Sequence, residues 1–303
     1  MADVRTYLLH TKMIATSIQN TTTMKATTST AEQRISQFQW RPWGAMLSHI
    51  ECKYMKAEEA SSHHVAIDMG CGTGEISNLI AERFPQWNIL GLDQDEEMLK
   101  SCRINHSNHP RCSFLATSIS NGDLSLQSLG MTQPAGLIWS SFTVQYFMKD
   151  LPRILDNWST LLQPNGLLIL IETNGLFSNH RPMSQTTMDA WIDMEDALRQ
   201  EYGYECAAGH KLAKIIQDSP SWELLEESGW ADPEFAFDGP AAASPQILDA
   251  WRQRLGRMKM PQEYFGTEKL ERLQQDFLTC LAHHDHSSPS KLTMIIARKK
   301  SNR

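Results

Sequence analysis

The chain has 303 residues and a formal net charge of −7, with 41% hydrophobic and 21% charged residues. Such a composition indicates a folded globular protein with one large domain, or one domain and a smaller one. The acidic balance disfavours a general nucleic-acid binder, and apolar runs such as GLLILI are too short to span a membrane.

Cysteine usage and the start of the chain bear on the compartment. The six cysteines form no CxxC pair, and no secretory apolar region is evident, so we expect free thiols and a cytoplasmic protein. Residues 1–34 are rich in Ser and Thr, which predicts an arm outside the domain formed by residues 35–303. Two interpretations of this arm stay open: a terminal tail, or an arm that closes over a neighbouring subunit. A homodimer could form through the arm or through the helical cap described below.

Residues 63–175 alternate apolar strands with amphipathic helices. The predicted strands are HVAIDMG, WNILGLD, CSFLAT, AGLIWSS and GLLILIET, and the helices between them include EISNLIAERF, EEMLKSCRIN and KDLPRILDNWSTLLQ. The turn PNG at 164–166 should end the last of these helices. This alternation predicts an α/β fold, Rossmann-like and doubly wound, with a mostly parallel seven-stranded sheet.

The remainder of the chain predicts fewer strands and more helices. Ser219 and Pro220 are typical of a helix start before SWELLEESGW. PEFAF and KLTMIIARK predict the last two strands. Insertions at about 177–218 and 239–289 have helical patterns, and we expect them to form a cap over the site.

Three glycines in IDMGCGTG follow the first predicted strand at positions 70, 72 and 74. Glycine permits positive φ and close approach of a ligand, and ligands of parallel sheets bind at the carboxyl ends of strands. The spacing fits neither GxGxxG nor a P-loop. The loop lacks Lys, and Asp68 and Glu75 flank it, which favours a ligand without phosphate and with positive charge.

IDMGCGTG, ILGLDQD and GLIWSSFTVQYFMKDLPRILDNWSTLLQPNGLLILIET closely resemble class I S-adenosylmethionine-dependent methyltransferases. The likeness is greatest to the small-molecule branch that includes trans-aconitate and malonyl-carrier-protein methyltransferases, and it covers about 63–175. It implies S-adenosylmethionine as cofactor, held by Asp68, Gly70, Cys71, Gly72, Gly74, Asp93, Gln94, Ser118, Ile119 and Ser140. Asp93 would accept both ribose hydroxyls, which suits a bidentate carboxylate, whereas Ser118 stands where family members often have Asp.

Residues outside these motifs supply the other candidates. The catalytic candidates are Glu172, Tyr146, His180 and His210, and the substrate-binding candidates are Trp40, Gln145, Asn174, Trp191 and Tyr202. Each has a structural alternative: helix capping for the carboxylate, surface exposure or packing for the histidines, and core packing for the aromatic residues. Gln145 stands where many small-molecule relatives have His; it can orient a substrate but cannot act as a general base. HHDH at 283–286 lacks a spaced partner motif, so we expect a solvated loop and no metal.

These features favour an enzyme that methylates O, N or C of a small organic molecule, in secondary metabolism. The alternative is an S-adenosylmethionine-binding relative that catalyses a non-methylating cyclisation or isomerisation, or that acts as a regulatory partner. The glycine spacing disfavours a nicotinamide oxidoreductase, and a protein substrate stays open.

Overall fold

The computed structural model describes residues 41–55, 64–105, 109–232 and 242–301. Its strands are β1 Val65–Met69, β2 Asn88–Asp93, β3 Cys112–Ala116, β4 Ala135–Ser141, β5 Leu162–Thr173, β6 Trp222–Trp230 and β7 Leu292–Lys299. Its α-helices are α1 Trp43–Tyr54, α2 Glu75–Arg83, α3 Glu96–Asn105, α4 Leu151–Leu161, α5 Gln185–Ala197, α6 Gly209–Asp218, α7 Pro245–Arg257, α8 Lys259–Phe265 and α9 Thr267–Leu281. A 3₁₀ helix spans Val144–Tyr146 and a π-helix spans Leu198–Tyr202. The predicted arm at 1–34 and the candidate Trp40 lie outside the described residues.

The strands form one seven-stranded sheet in the order β3-β2-β1-β4-β5-β7-β6. β1 pairs parallel with both β2 and β4, and β7 runs antiparallel to both of its neighbours. The strand order therefore reverses between β1 and β4, where an open α/β sheet offers a crevice at the carboxyl ends of its strands. The predicted fold class is confirmed.

Helices cover both faces of the sheet. Successive side chains of the central strands point to opposite sides, so these strands have apolar side chains to bury on each face. Ile67 and Met69 of β1 pack with α4 and α6, whereas Ala66 packs with α1 and α2. In α4 the predicted apolar face is buried through Leu151, Ile154, Leu155, Trp158 and Leu161. The continuous apolar runs of the sequence thus correspond to strands buried on both sides.

The prediction of a helix at SWELLEESGW is wrong. α6 ends at Asp218, and Trp222–Trp230 forms the edge strand β6, paired antiparallel with β7 from Trp222↔Lys299 to Trp230↔Leu292. Glu and Leu favour helices locally, but the hydrogen-bond ladder to β7 and burial of Trp222 outweigh this preference. The predicted strand PEFAF lies outside the described residues.

The predicted PNG turn falls within β5. This strand begins at Leu162, which pairs with Ala135, and the pairing with β4 shifts before Leu137↔Leu167. Asn165 has a φ of 65° at this irregularity, so the turn-forming residues bend the strand. α4 ends at Leu161, just before them.

The two insertions are mainly helical, and their aromatic residues share one core with the sheet. Trp191 of α5, Trp251 of α7 and Phe277 of α9 are fully buried and belong to the same cluster as Trp139 of β4. No helix within the described ranges is long and apolar enough to cross a membrane.

Candidate active site

The glycine loop turns directly out of β1. Gly70, Gly72 and Gly74 have φ values of 78°, 55° and 85°, in the left-handed region that favours glycine. The N–H groups of Gly70 and Cys71 both donate to Leu92 O, at 2.8 and 3.0 Å. The loop is therefore fixed to β2, and Gly74 ends it as the N-cap of α2.

Two of these glycines are required for different reasons. A Cβ on Gly70 would lie 2.5 Å from Thr143 Cγ2, so this glycine lets the loop after β4 pack against the loop after β1. A Cβ on Gly72 would have no heavy atom within 4 Å. Gly72 therefore leaves an open backbone surface at the sheet's carboxyl edge, where a ligand can approach.

Asp93, the last residue of β2, holds this open segment. Its Oδ2 accepts from Gly72 N at 2.8 Å, and its Oδ1 accepts from Asp95 N at 2.9 Å. Each carboxylate oxygen can accept more than one hydrogen bond, so Asp93 keeps capacity for further donors. Gln94, beside it, is exposed.

The loop lies in a negatively charged environment. Asp68 is buried and accepts from Ser77 Oγ at 2.7 Å. Burial raises the pKa of Asp68 to about 7; the Ser77 hydrogen bond opposes this rise, and the charges of Asp93 and Glu75 add to it. A positively charged ligand here would therefore be stabilised by the field of three carboxyl groups.

The neighbouring strands bring the other cofactor candidates to the same edge. Ser140 of β4 donates its hydroxyl to Met69 O of β1 at 3.2 Å. After β3, Thr117 N donates to Asp93 O at 2.9 Å, and Ser118 and Ile119 follow directly. Ile119 is buried and its carbonyl accepts from Trp158 Nε1 at 3.0 Å.

Cys71 faces α3 rather than solvent. It is buried beside Cys102, whose Sγ donates to Gly72 O at 3.1 Å. The hydrogen bond with Cys102 and then burial raise the pKa of the Cys71 thiol well above its usual range. A thiolate nucleophile is thereby disfavoured, so Cys71 serves the loop through its backbone.

Glu172, near the end of β5, holds the loop after β4. Its Oε1 accepts from Thr143 N at 2.7 Å and from Gln145 N at 3.3 Å. Its Oε2 is buried and has no hydrogen-bond partner among the described residues. Burial raises the pKa of Glu172 to about 8, although the backbone N–H groups of Gln145, Thr143 and Val144 oppose the rise.

Tyr146 and Gln145 lie on the 3₁₀ helix of this loop. Tyr146 is 47% exposed, and its ring lies 5.0 Å from that of Tyr204 in an edge-to-face arrangement. Gln145 is buried; its side chain donates to Phe142 O at 3.1 Å and its carbonyl accepts from Glu205 N at 2.9 Å. The first insertion thus contacts the candidate site through residues 204–205.

His180 lies in the core of the insertions and has no exposed surface. Its Nδ1 is 2.9 Å from His286 Nε2, and the rings of Phe277 and Trp251 pack edge-to-face against it. Burial, followed by His286, lowers the pKa of His180 to about 3. This neutral, enclosed imidazole is a packing group in the structure, and its catalytic role stays a prediction.

The HHDH segment is only partly a solvated loop. His284 and Asp285 are exposed, but His286 is fully buried against His180. The ligand atoms of His283, His284 and Asp285 lie within 4.8 Å of one another and could hold a metal ion. The absence of a metal from the reaction stays a prediction.

The other candidates are not gathered at the glycine loop. Trp191 is buried and stacks on Phe177 at 4.4 Å. Asn174 accepts from Thr293 Oγ1 at 2.8 Å and so ties the end of β5 to β7. His210 is exposed on α6, and Tyr202 is 46% exposed on the π-helix.

Sequence comparisons agree with this geometry. Residues 67–168 match a protein family described as "Methyltransferase domain". This match supports the resemblance of residues 63–175 to class I S-adenosylmethionine-dependent methyltransferases. The match supports the predicted methyltransferase activity and its cofactor.

Curated relatives match this chain over part of their length. A trans-aconitate 2-methyltransferase of Yersinia pestis is 26% identical over 180 residues, which cover 56% of this chain and 62% of the relative. One of Deinococcus radiodurans is 27% identical over 167 residues, 55% of this chain and 58% of the relative. The matches therefore span less than two thirds of these relatives.

Solved methyltransferase-fold structures are similar over most of the chain at low identity. A mycolic acid cyclopropane synthase complexed with S-adenosylhomocysteine (SAH) has a TM-score of 0.53 at 12% identity, covering 87% of each chain. A structure from Galdieria sulphuraria, described as a "putative sarcosine dimethylglycine methyltransferase", has a TM-score of 0.51 at 10% identity, covering 88% of this chain and 86% of that chain. These identities support the fold alone.

Proposed function

We propose that this protein transfers the methyl group of S-adenosylmethionine to an O, N or C atom of a small organic molecule, in secondary metabolism and in the cytoplasm. The observation that carries the proposal is the open backbone of Gly72, held by Asp93 at the switch point of the sheet. The free state of all six cysteines is consistent with a reducing compartment.

The residues of the edge fit the cofactor. Gly72 offers a surface that a Cβ would fill, and Asp93 offers acceptor capacity for the two ribose hydroxyls. Ser118 and Ile119 would flank the adenine, and the Ser140 carbonyl would receive the methionine amino group. Glu75 adds negative charge that favours a sulfonium and an ammonium, and a bound cation would favour the ionised form of Asp68.

Bound S-adenosylmethionine supplies a methyl group activated by its sulfonium. The protein's contribution is then mainly alignment, since orientation alone can contribute about 7–11 kcal/mol to such a displacement. Tyr146, exposed beside the site, is the group we assign to contact the acceptor molecule. His210 stays a further catalytic candidate. The names of the relatives make trans-aconitate one acceptor to include in a screen.

Asp93→Ala tests the cofactor site. Loss of a charge-assisted contact should weaken SAH binding by about 1.5–3 kcal/mol, or roughly 10- to 150-fold. Isothermal titration calorimetry with SAH measures this directly. Asp249→Ala, at an exposed acid of α7, is the matched control and should bind like the wild type. Equal affinities in the Asp93 variant and the control would contradict the assignment.

Gly72→Val tests the same site from the backbone side. The φ of 55° disfavours a β-branched residue, and the new side chain would occupy the open surface. We expect SAH binding to be lost while the circular dichroism spectrum of a folded α/β protein remains.

Mass spectrometry of the products formed with methyl-labelled cofactor separates methyl transfer from a non-methylating cyclisation or isomerisation. A product formed without the label would exclude methylation.

A further inference from the structure

A second candidate site lies on the first and second insertions. A partly open cavity of about 210 Å³ lies against the end of α5, the π-helix and α8; its lining residues are Ala197, Leu198, Glu201, Tyr202, Met260, Glu263 and Tyr264. None of them belongs to the loop after β1. Pockets for drug-sized ligands measure about 300–1,000 Å³, so this one suits a smaller group.

The lining combines aromatic faces with negative charge. Tyr202 and Tyr264 are 46% and 45% exposed and belong to the few large apolar or aromatic side chains on the described surface. Glu201 directly precedes Tyr202 in the chain, and Glu263 directly precedes Tyr264. The lining of the cavity has no Lys, Arg or His. An anionic ligand would therefore be repelled, and an alkylated cation would find both a counter-charge and π faces.

The local backbone supports a binding role for this cavity. Leu198–Tyr202 is a π-helix, continuous with α5, and Gly203 ends it with a φ of 72°. Single π turns inside helices are uncommon and occur often at functional sites. Here the π turn contributes Leu198, Glu201 and Tyr202 to the lining.

We propose that this cavity binds a small organic ammonium ion, of the trimethylammonium class. The two tyrosine rings would contact its methyl groups and the two glutamates would balance its charge. The proposal goes beyond the methyl transfer proposed above and does not depend on it, because binding here is measured without cofactor.

The experiment compares choline with its uncharged isostere, in which a tert-butyl group replaces the trimethylammonium group. Calorimetry on the full chain at constant ionic strength should give at least tenfold tighter binding of choline. Equal binding of the two probes would mean a merely apolar cavity and would overturn the proposal. So would undetectable binding of choline.

Variants place the binding in this cavity. Tyr264→Leu should weaken choline binding about tenfold, and Glu263→Gln should weaken it several-fold. Tyr264→Phe should retain most of the affinity, since the π face remains. Glu268→Gln, at an exposed acid of α9, is the matched control and should leave it unchanged. The Tyr264 side chain is nearly half exposed, so its replacement should leave the core intact. Wild-type affinity for choline in both Tyr264→Leu and Glu263→Gln would therefore overturn the proposal.

Discussion

At the scale of single residues, the hydrogen bonds of Glu172 fit its structural alternative, and its catalytic role stays a prediction. Its position at the end of β5 favours catalysis, and its structural alternative was capping. In the structure it is fully buried and its Oε1 holds Thr143 and Gln145. Thr143 in turn packs against Gly70. Glu172 is therefore placed to act on the cofactor site through the loop after β4.

Glu172→Ala should consequently weaken SAH binding about tenfold, the equivalent of 1.4 kcal/mol and of one or two backbone hydrogen bonds. Glu172→Gln should stay within about threefold of the wild type, because its amide oxygen can still accept from the loop. Calorimetry with SAH checks both variants. Wild-type affinity in Glu172→Ala would contradict a positioning role and return Glu172 to the catalytic candidates.

The placement of residues was predictable where it follows from local motifs and not where it depends on distant contacts. The glycine loop and Asp93 meet as expected, because both end neighbouring strands. The partnership of His180 with His286 joins positions 106 residues apart. Nothing in the local pattern of either histidine indicates the other, so the burial of both could not be predicted.

At the scale of elements, β6 is held by α1 as well as by β7. Glu226 of β6 accepts from Tyr54 Oη at 2.5 Å, Lys53 Nζ at 2.6 Å and His49 Nε2 at 2.9 Å. This contact spans the first and last parts of the domain. The sequence predicted a helix here because local propensity carries no information on these partners.

Glu226→Gln tests this attachment through pH. Burial would raise the pKa of Glu226, but hydrogen bonds from Lys53, Tyr54 and His49 outweigh burial and lower it to about 2. The ionised Glu226 carboxylate therefore contributes its full stabilisation of the folded state above the usual carboxyl pKa of 4.5. This contribution is lost as the pH falls from 4.5 towards 2. We expect Glu226→Gln to cost about 1–2 kcal/mol at pH 7 and little near pH 2.

Urea unfolding at several pH values measures this difference. Glu227→Gln is the matched control, since Glu227 is the exposed neighbour on the same strand. A loss at pH 7 that persists undiminished to pH 2 would show that the carboxylate charge is not the cause.

At the scale of the whole molecule, the insertions bury their aromatic residues in one hydrophobic cluster with one face of the sheet. Trp191, Trp251 and Phe277 join Trp139 and Ile171 of the sheet in one cluster. The helical patterns predicted that these segments are helices, but not that they bury their aromatic residues against one another. That outcome depends on the packing of α5, α7 and α9, which no local window contains.

A shared core predicts that the described parts of the domain unfold together. Phe277 is fully buried, with its ring 4.9 Å from Trp251 and 6.1 Å from Trp191. Phe277→Ala should cost about 3–5 kcal/mol and lower the melting temperature by roughly 5–15 °C. Scanning calorimetry should still show one transition.

Ile104→Ala, at a residue 76% exposed on α3, is the control and should change the melting temperature little. If Phe277→Ala instead split the transition, with one part melting at the wild-type temperature, the insertions would be a separate folding unit, and the sheet would support the cofactor site without them.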